Sequence, residues 1–206
     1  MADVHFFFDP GCPWAWLAAV RLQETAMRCG AGIVWRPVVL DQVERMTGRG
    51  AATPAELAYS SLDLGDWAHF CGVRVARADR LPAANASKAI AAASGLAGRL
   101  EALVNRLFEA GPGGSADPDD HEFLVSTAVA AGFARRDFES AFDSPAAQRM
   151  VEANVADLVA RGGFGSASMA VGDRLYIGNA RMPLVELALT RAAEHPLIIP
   201  GAHGQT

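Results

Sequence analysis

The stretch Val4–Phe8 is a short apolar run cut off abruptly by Asp9-Pro10-Gly11, and such a run bounded by breakers reads as a buried strand. Together with the two segments after it, this run constrains the fold more than any other part of the chain. From Trp14 to Arg28 the residues Trp16, Leu17, Val20 and Met27 recur near helical spacing, and Gly30 stops the segment. Ile33–Leu40, around Trp35 and Pro37, then reads as a second strand. A strand, a helix and a strand joined by a right-handed crossover make the two strands parallel neighbours in one sheet.

The middle of the chain has a different character, Ala-rich and helical from Pro54 to about Arg161, with stops at Gly72, at Gly111-Pro112-Gly113-Gly114 and at Gly132. Thr53-Pro54, Asp117-Pro118 and Ser144-Pro145 each set a capping side chain before a proline at the first helical position, so four or five helices are expected. After Gly162-Gly163-Phe164-Gly165, the segments Ser168–Val171 and Leu175–Ile177 flank Gly172-Asp173, which is a hairpin signal. Met182–Ala193 gives a last amphipathic helix whose apolar face is read as Leu184, Leu187, Ala188 and Leu189. Half a sheet at each end of the chain implies that the ends meet in one mixed sheet with helices on its faces. The expected organisation is an α/β domain made of residues 1–45 and 162–195, a helical insertion over 46–161 and a loosely ordered tail over 196–206, where Pro196, Pro200, Gly201 and Gly204 fall.

At 51% hydrophobic and 20% charged residues, with four Trp and ten Phe, the chain of 206 residues has ample material for a packed core and is too apolar for intrinsic disorder. Its net charge of −5, with basic residues spread singly, argues against a nucleic-acid partner. Asp9, Pro10, Gly11 and Pro13 interrupt the one N-terminal apolar stretch, so no membrane span is expected. No basic segment leads into a cleavable apolar run, and the reading is cytoplasmic. Cys12, Cys29 and Cys71 form neither a CxxC pair nor zinc-ligand spacing, so they are expected to be free thiols with no metal.

The segment Asp9-Pro10-Gly11-Cys12-Pro13-Trp14 carries the candidate chemistry. A cysteine at a strand-to-helix junction lies where unpaired N–H groups and the helix dipole favour an anion, which lowers a thiol pKa from about 8.5. The alternative is a small buried hydrophobe. Asp9 can cap or tune this region and, as an anion, raises the pKa of a neighbouring thiol. Cys29 and Cys71 read as helix-borne core residues, able to pair with Cys12 only if the fold brought one within about 7 Å, Cα to Cα.

Phe6-Phe7-Phe8-Asp9-Pro10-Gly11-Cys12-Pro13-Trp14 resembles the start of the DsbA-like thioredoxin superfamily. The arrangement from about Val4 to Ala193 is similar to its branch containing 2-hydroxychromene-2-carboxylate isomerase and the kappa-class glutathione transferases. Val34–Leu40, Asp66-Trp67-Ala68 with Gly72, and Gly163–Ser168 carry the likeness beyond the first segment. It implies an α/β, thioredoxin-like mixed sheet with a large all-helical insertion between strands 2 and 3, a homodimer, and action with a low-molecular-weight thiol such as glutathione. In the isomerase and kappa group the position of Cys12 is usually a serine that hydrogen-bonds the bound thiol's sulfur; in the oxidoreductase branch it is the first cysteine of Cys-Pro-Trp-Cys. Here Ala15 occupies the second cysteine's place, so no dithiol cycle can run between positions 12 and 15.

The same resemblance implies a thiol site drawn from Asn85, with Lys88 nearby, from Ser166 and Ala167, and from Asn179 and Ala180, with Trp14 against a flat aromatic substrate. For Asn85 and Lys88 a helix cap and a solvated lysine are the competing readings. Ala167 stands where the family has a cis-proline and is expected trans, since a cis non-proline bond costs about 2.5–4 kcal/mol. Asn179-Ala180 replaces the Ser-Asp that holds a γ-glutamyl end, which leaves mycothiol as an alternative to glutathione. His69 is either a proton carrier or a satisfied half-buried histidine, and Trp16 and Trp67 read as core unless they join Trp14 in an aromatic wall. Three functions are weighed in order: a thiol-dependent isomerase of a conjugated aromatic electrophile; a monothiol oxidoreductase or thiol-dependent reductase; and a non-catalytic binding protein, motivated by Ala15, Ala167 and Ala180.

Overall fold

The computed structural model describes residues 3–193. Strand β1 (Asp3–Phe8) runs parallel to β2 (Gly32–Pro37), in register from Asp3 with Gly32 to Phe8 with Pro37. Between them lies helix α1 (Pro13–Cys29), opened by Pro13 and closed by Gly30, whose φ of 61° lets the chain turn out of the helix. The apolar run read as one strand to Leu40 divides: β2 ends at Pro37, and Leu40–Thr47 is a separate helix, α2. Pro37 offers no N–H to a ladder, and Asp41, Glu44 and Arg45 around Leu40 and Val43 make the continuation amphipathic.

The insertion holds six helices where four or five are expected: α3 (Pro54–Phe70), α4 (Ala84–Ala93), α5 (Leu100–Ala110), α6 (His121–Ala130), α7 (Arg135–Asp143) and α8 (Pro145–Ala160). Thr53 and Ser144 cap as read, Thr53 within a full capping box with Glu56. Asp117-Pro118 does not open a helix. Asp117 accepts the Asp119 N–H in a local turn, and Asp120 caps α6 by accepting the Phe123 N–H. Strands β3 (Ser168–Val171) and β4 (Arg174–Ile177) form the expected hairpin, and α9 (Met182–Ala192) comes after it. β3 lies antiparallel to β1, giving the order β2-β1-β3-β4.

Because side chains alternate along a strand, β1 feeds two cores. Val4, Phe6 and Phe8 face one that gathers Leu22 of α1, the alanine-rich α4, Leu103 and Phe108 of α5 and Met182, Val185 and Leu189 of α9. Phe7 faces the other, with Val43 of α2 and Val155 and Leu158 of α8. The first is continuous from the sheet into the insertion. The buried face of α9 is Met182, Val185 and Leu189; of the stripe read from sequence Leu189 is buried, Leu187 and Ala188 are half-buried, and Leu184 is 46% exposed. Among the described residues no helix is long and apolar enough to cross a membrane. The tail expected over 196–206 lies outside the described residues.

Candidate functional site

Four segments converge on Gly11-Cys12 because Asp9, at the end of β1, binds its neighbours through both backbone and side chain. Its carboxylate accepts the Gly11 N–H at 2.9 Å and, on the other oxygen, the Leu40 N–H that opens α2, also at 2.9 Å. Its own N–H donates to the Ser166 hydroxyl at 3.0 Å, and its carbonyl accepts the Cys12 N–H at 3.0 Å. The segment entering α4 completes the ring: Leu81 N–H donates to the Gly11 carbonyl at 3.0 Å. A Cβ on residue 11 would strike the Leu81 carbonyl and Ala83, so a glycine is required there. Asp9 thus caps α2 and not α1, a role that only the three-dimensional approach of Leu40 reveals.

Burial sets the electrostatics. Asp9 is 3% exposed, and desolvation pushes its carboxyl up to about 6 even though the Leu40 and Gly11 N–H groups and the Arg80 charge pull it down. Cys12 is likewise enclosed at 6% exposure, and its thiol is pushed up to about 11, first by burial and then by the Asp9 charge. The N–H groups of Ala15 and Trp14 and the Ser166 hydroxyl act in the opposite direction and do not prevail. The expected lowering of the Cys12 pKa is overturned. Cys12 does occupy the N-cap of α1, but no side-chain capping bond forms, and burial outweighs the helix start.

Of the residues read from sequence, Cys12 and Ser166 come together. Trp14 adjoins them, half-buried, its indole N–H donating to Ser60 of α3 at 3.2 Å. Ala167 is buried, and the described residues contain no cis peptide bond, as expected at this position; its carbonyl accepts the Gly178 N–H at 2.9 Å. Asn179 is buried and engaged: its carbonyl and side-chain oxygens accept from Arg21 at 2.8 and 3.1 Å, while the Arg21 guanidinium stacks on Trp67 at 4.9 Å. Ala180 is exposed and brings no polar side-chain group. Asn85 sits in the first turn of α4 with both its N–H and its amide tied to Asp119, so it fastens α4 to the approach to α6. Lys88 is half-buried, with its ammonium 4.4 Å from the Phe142 ring centre.

Trp16 meets Cys12 through the backbone, its N–H donating to the Cys12 carbonyl at 3.2 Å one turn into α1. Trp16 is buried, with Gly113 against its ring, and Trp67 packs edge-on to Phe70. His69 is exposed in the last turn of α3, not half-buried. Cys29 and Cys71 are half-buried at helix ends and pack against the edges of the core, and all three cysteines are free. Among the described residues no group of three His, Cys, Asp or Glu side chains could hold a metal. The chemistry left to the site is that of a protonated thiol held by a neighbouring hydroxyl: an S–H donor that can orient another sulfur, with Ala15 where the second cysteine of a disulfide cycle would stand.

A family model described as a DSBA-like thioredoxin domain matches residues 3–190. A 2-hydroxychromene-2-carboxylate isomerase of Pseudomonas putida is 28% identical over 195 residues, covering 91% of this chain and 94% of that protein. Among solved structures, a 2-hydroxychromene-2-carboxylate isomerase superposes with a TM-score of 0.78 at 26% identity, over 93% of this chain and 96% of the other. A probable DsbA oxidoreductase from Streptomyces coelicolor gives 0.75 at 21% identity, over 98% and 95%.

Proposed function

The chain belongs to the DSBA-like thioredoxin domain family, and from that premise we propose that it is a thiol-dependent isomerase of the 2-hydroxychromene-2-carboxylate isomerase type. Similarity to isomerases of that name along almost the whole chain supports the reaction class. One observation carries the choice of mechanism: Cys12 is enclosed, unpaired and accompanied by Ala15 where a resolving cysteine would stand. Burial raises its pKa to about 11, so the neutral thiol is the favoured form at neutral pH. That suits a hydrogen-bond donor and not a nucleophile.

In this reading a small thiol, glutathione or mycothiol, binds with its sulfur over Cys12, which donates S–H to it as a serine would donate O–H. The cosubstrate's thiolate adds to the conjugated ring system, the bond that was double becomes free to rotate, and the thiolate leaves with the electron pair it brought. Covalent addition divides one difficult isomerisation into two easier steps. Ser166, whose oxygen accepts from the Asp9 N–H, turns its hydroxyl to the Cys12 sulfur and so holds that donor in place. Trp14 supplies a flat apolar wall, and the chain acts as a homodimer in the cytoplasm.

The Cys12→Ser variant tests this directly. Serine keeps a donor and nearly the same shape, so turnover of the hydroxychromene carboxylate with added thiol is expected within about tenfold of the parent, equivalent to ~1.4 kcal/mol. If Cys12 were itself the attacking group, rates in the folded variant would fall by several orders of magnitude, and the monothiol reading would replace this one. The feature that favours that second reading is the pair of N–H groups at the start of α1 acting on the sulfur.

A further inference from the structure

The helix that Asp9 caps ends beside the loop that carries Ser166. α2 starts at the Leu40 N–H held by Asp9 and stops at Gly48, whose φ of 66° turns the chain so that Arg49 N–H donates back to the Glu44 carbonyl at 3.1 Å. This sends the Arg49 side chain onto the loop 163–168. Its guanidinium lies over the Phe164 ring, 5.4 Å from the ring centre, and its Nη1 donates to the Phe164 carbonyl at 3.4 Å. A Cβ placed on Gly165 would sit 3.6 Å from the same nitrogen. Gly165 is one Cα step, ~3.8 Å, from Ser166, and Ser166 is the residue whose hydroxyl meets Cys12.

Three arginines approach this part of the molecule, and they differ in what they bind. Arg80 pairs with Asp41 and Glu44. Arg21 is taken up by Asn179 and the Trp67 face. Arg49 enters none of the ion pairs among the described residues, and its one side-chain hydrogen bond there is the long one to Phe164. The carboxylate that feels its charge, Glu56, is already committed to the Thr53 N–H and hydroxyl, both at 2.7 Å. A guanidinium carries five N–H donors in a planar fork, so Arg49 presents most of them to solvent from a fixed aromatic platform.

We propose that Arg49 is a specificity-determining residue that receives the carboxylate of an aromatic acid whose reacting carbon lies over Cys12 and Ser166. The proposal rests on the thiol-dependent isomerase reading for the identity of the site, and its chemistry is a flat aromatic ring with an anionic group at one end. Phe164, 46% exposed beneath the guanidinium, is placed to meet the same ring edge. The platform also holds Arg49 in place before binding, which reduces the side-chain entropy lost when the carboxylate arrives.

The test compares 3-hydroxy-2-naphthoate with its methyl ester by isothermal titration calorimetry on the full chain, in the parent, in Arg49→Ala and in Arg149→Ala. The last removes the same charge from an exposed position on α8. The parent and Arg149→Ala are expected to bind the acid about tenfold more tightly than the ester. Arg49→Ala is expected to lose that preference by weakening the acid and leaving the ester unchanged. Equal binding of acid and ester by the parent, or an acid preference that survives in Arg49→Ala, would overturn the proposal. Thiol-dependent turnover of the parent is measured separately, so failure of the isomerase reading shows as absent turnover while acid selectivity still reports on Arg49.

Discussion

Helices α1 and α3 are both seventeen residues long and both begin with a proline, yet nine residues of α1 are buried and only two of α3, Leu64 and Ala68. They are held by opposite means. α1 has no side-chain cap and depends on the ring of backbone contacts around Gly11 and on the core beneath it. α3 leaves Leu57, Leu62 and Phe70 59–74% exposed and relies on local signals, above all the Thr53–Glu56 capping box. The helix that carries Cys12 at its start is therefore fixed by tertiary structure, and the one that meets Trp14 through Ser60 is held mainly by local signals.

The contrast is broken most severely by Gly11→Ala. The added methyl has no rotamer with which to avoid the Leu81 carbonyl, so the approach to α4 must shift, at a cost of about 3 kcal/mol or more. Thermal denaturation should show a fall in Tm of roughly 6–12 °C for a chain of this size. A fall below about 2 °C would mean that the ring around Gly11 is looser than the packing implies.

A somewhat smaller effect belongs to Asp9. Its folded pKa of about 6 lies above the unfolded value of 3.8, so its contribution to stability is fully present below pH 3.8 and is lost as pH rises through 6. Two pKa units correspond to ~3 kcal/mol. Urea denaturation of the parent and of Asp9→Asn should accordingly show their difference shifting by up to ~3 kcal/mol in favour of the variant between pH 4 and pH 7.5. The constant penalty of turning an amide N–H₂ toward Gly11 or Leu40 cancels in that comparison. The same variant should lower the Cys12 pKa, seen as faster alkylation by iodoacetamide at pH 8. A pH-independent stability difference would contradict the buried carboxylate.

Gly65→Ala gives the smallest and opposite effect. Gly65 lies inside α3 with open space where its Cβ would be, so alanine should stabilise by about 0.5–1 kcal/mol. The measurement is the Tm of the single variant, and a destabilisation would show that the outer face of α3 is covered in solution.

What the sequence disclosed divides along the same line. Elements that announce themselves locally were legible: the breakers after Phe8, Pro13 and Gly30 around α1, the caps at Thr53 and Ser144, and the Gly172-Asp173 turn. Asp117 misled because two aspartates three residues apart both precede helical sequence, and the first spends its carboxylate on Asp119. α2 was hidden by Val38-Val39-Leu40, which prolong the strand's apolar character past Pro37. Within the site, a helix start near Cys12 was readable, but the burial that reverses its effect is a tertiary property, set where segments from far along the chain, such as Leu81 on the Gly11 carbonyl, close over the junction. Asn85 and Asn179 read as ligand-facing because nothing nearby in sequence points to Asp119 or Arg21.

The strand order carries a cost in time. β1 is an interior strand whose second neighbour, β3, pairs His5 with Ala170, so on a ribosome adding ~5–20 residues per second that edge stays open for about 8–30 s after it emerges. Once β2 has paired with its other side, Phe6, Phe7 and Phe8 still sit on a strand with one open edge, an arrangement prone to recruit a neighbouring nascent chain. The six helices of the insertion are synthesised during the wait, and those whose packing lies within the insertion can form before the sheet closes. The yield of this protein in cells should therefore respond to translation speed and to holdase chaperones through β1, and much less through the helices.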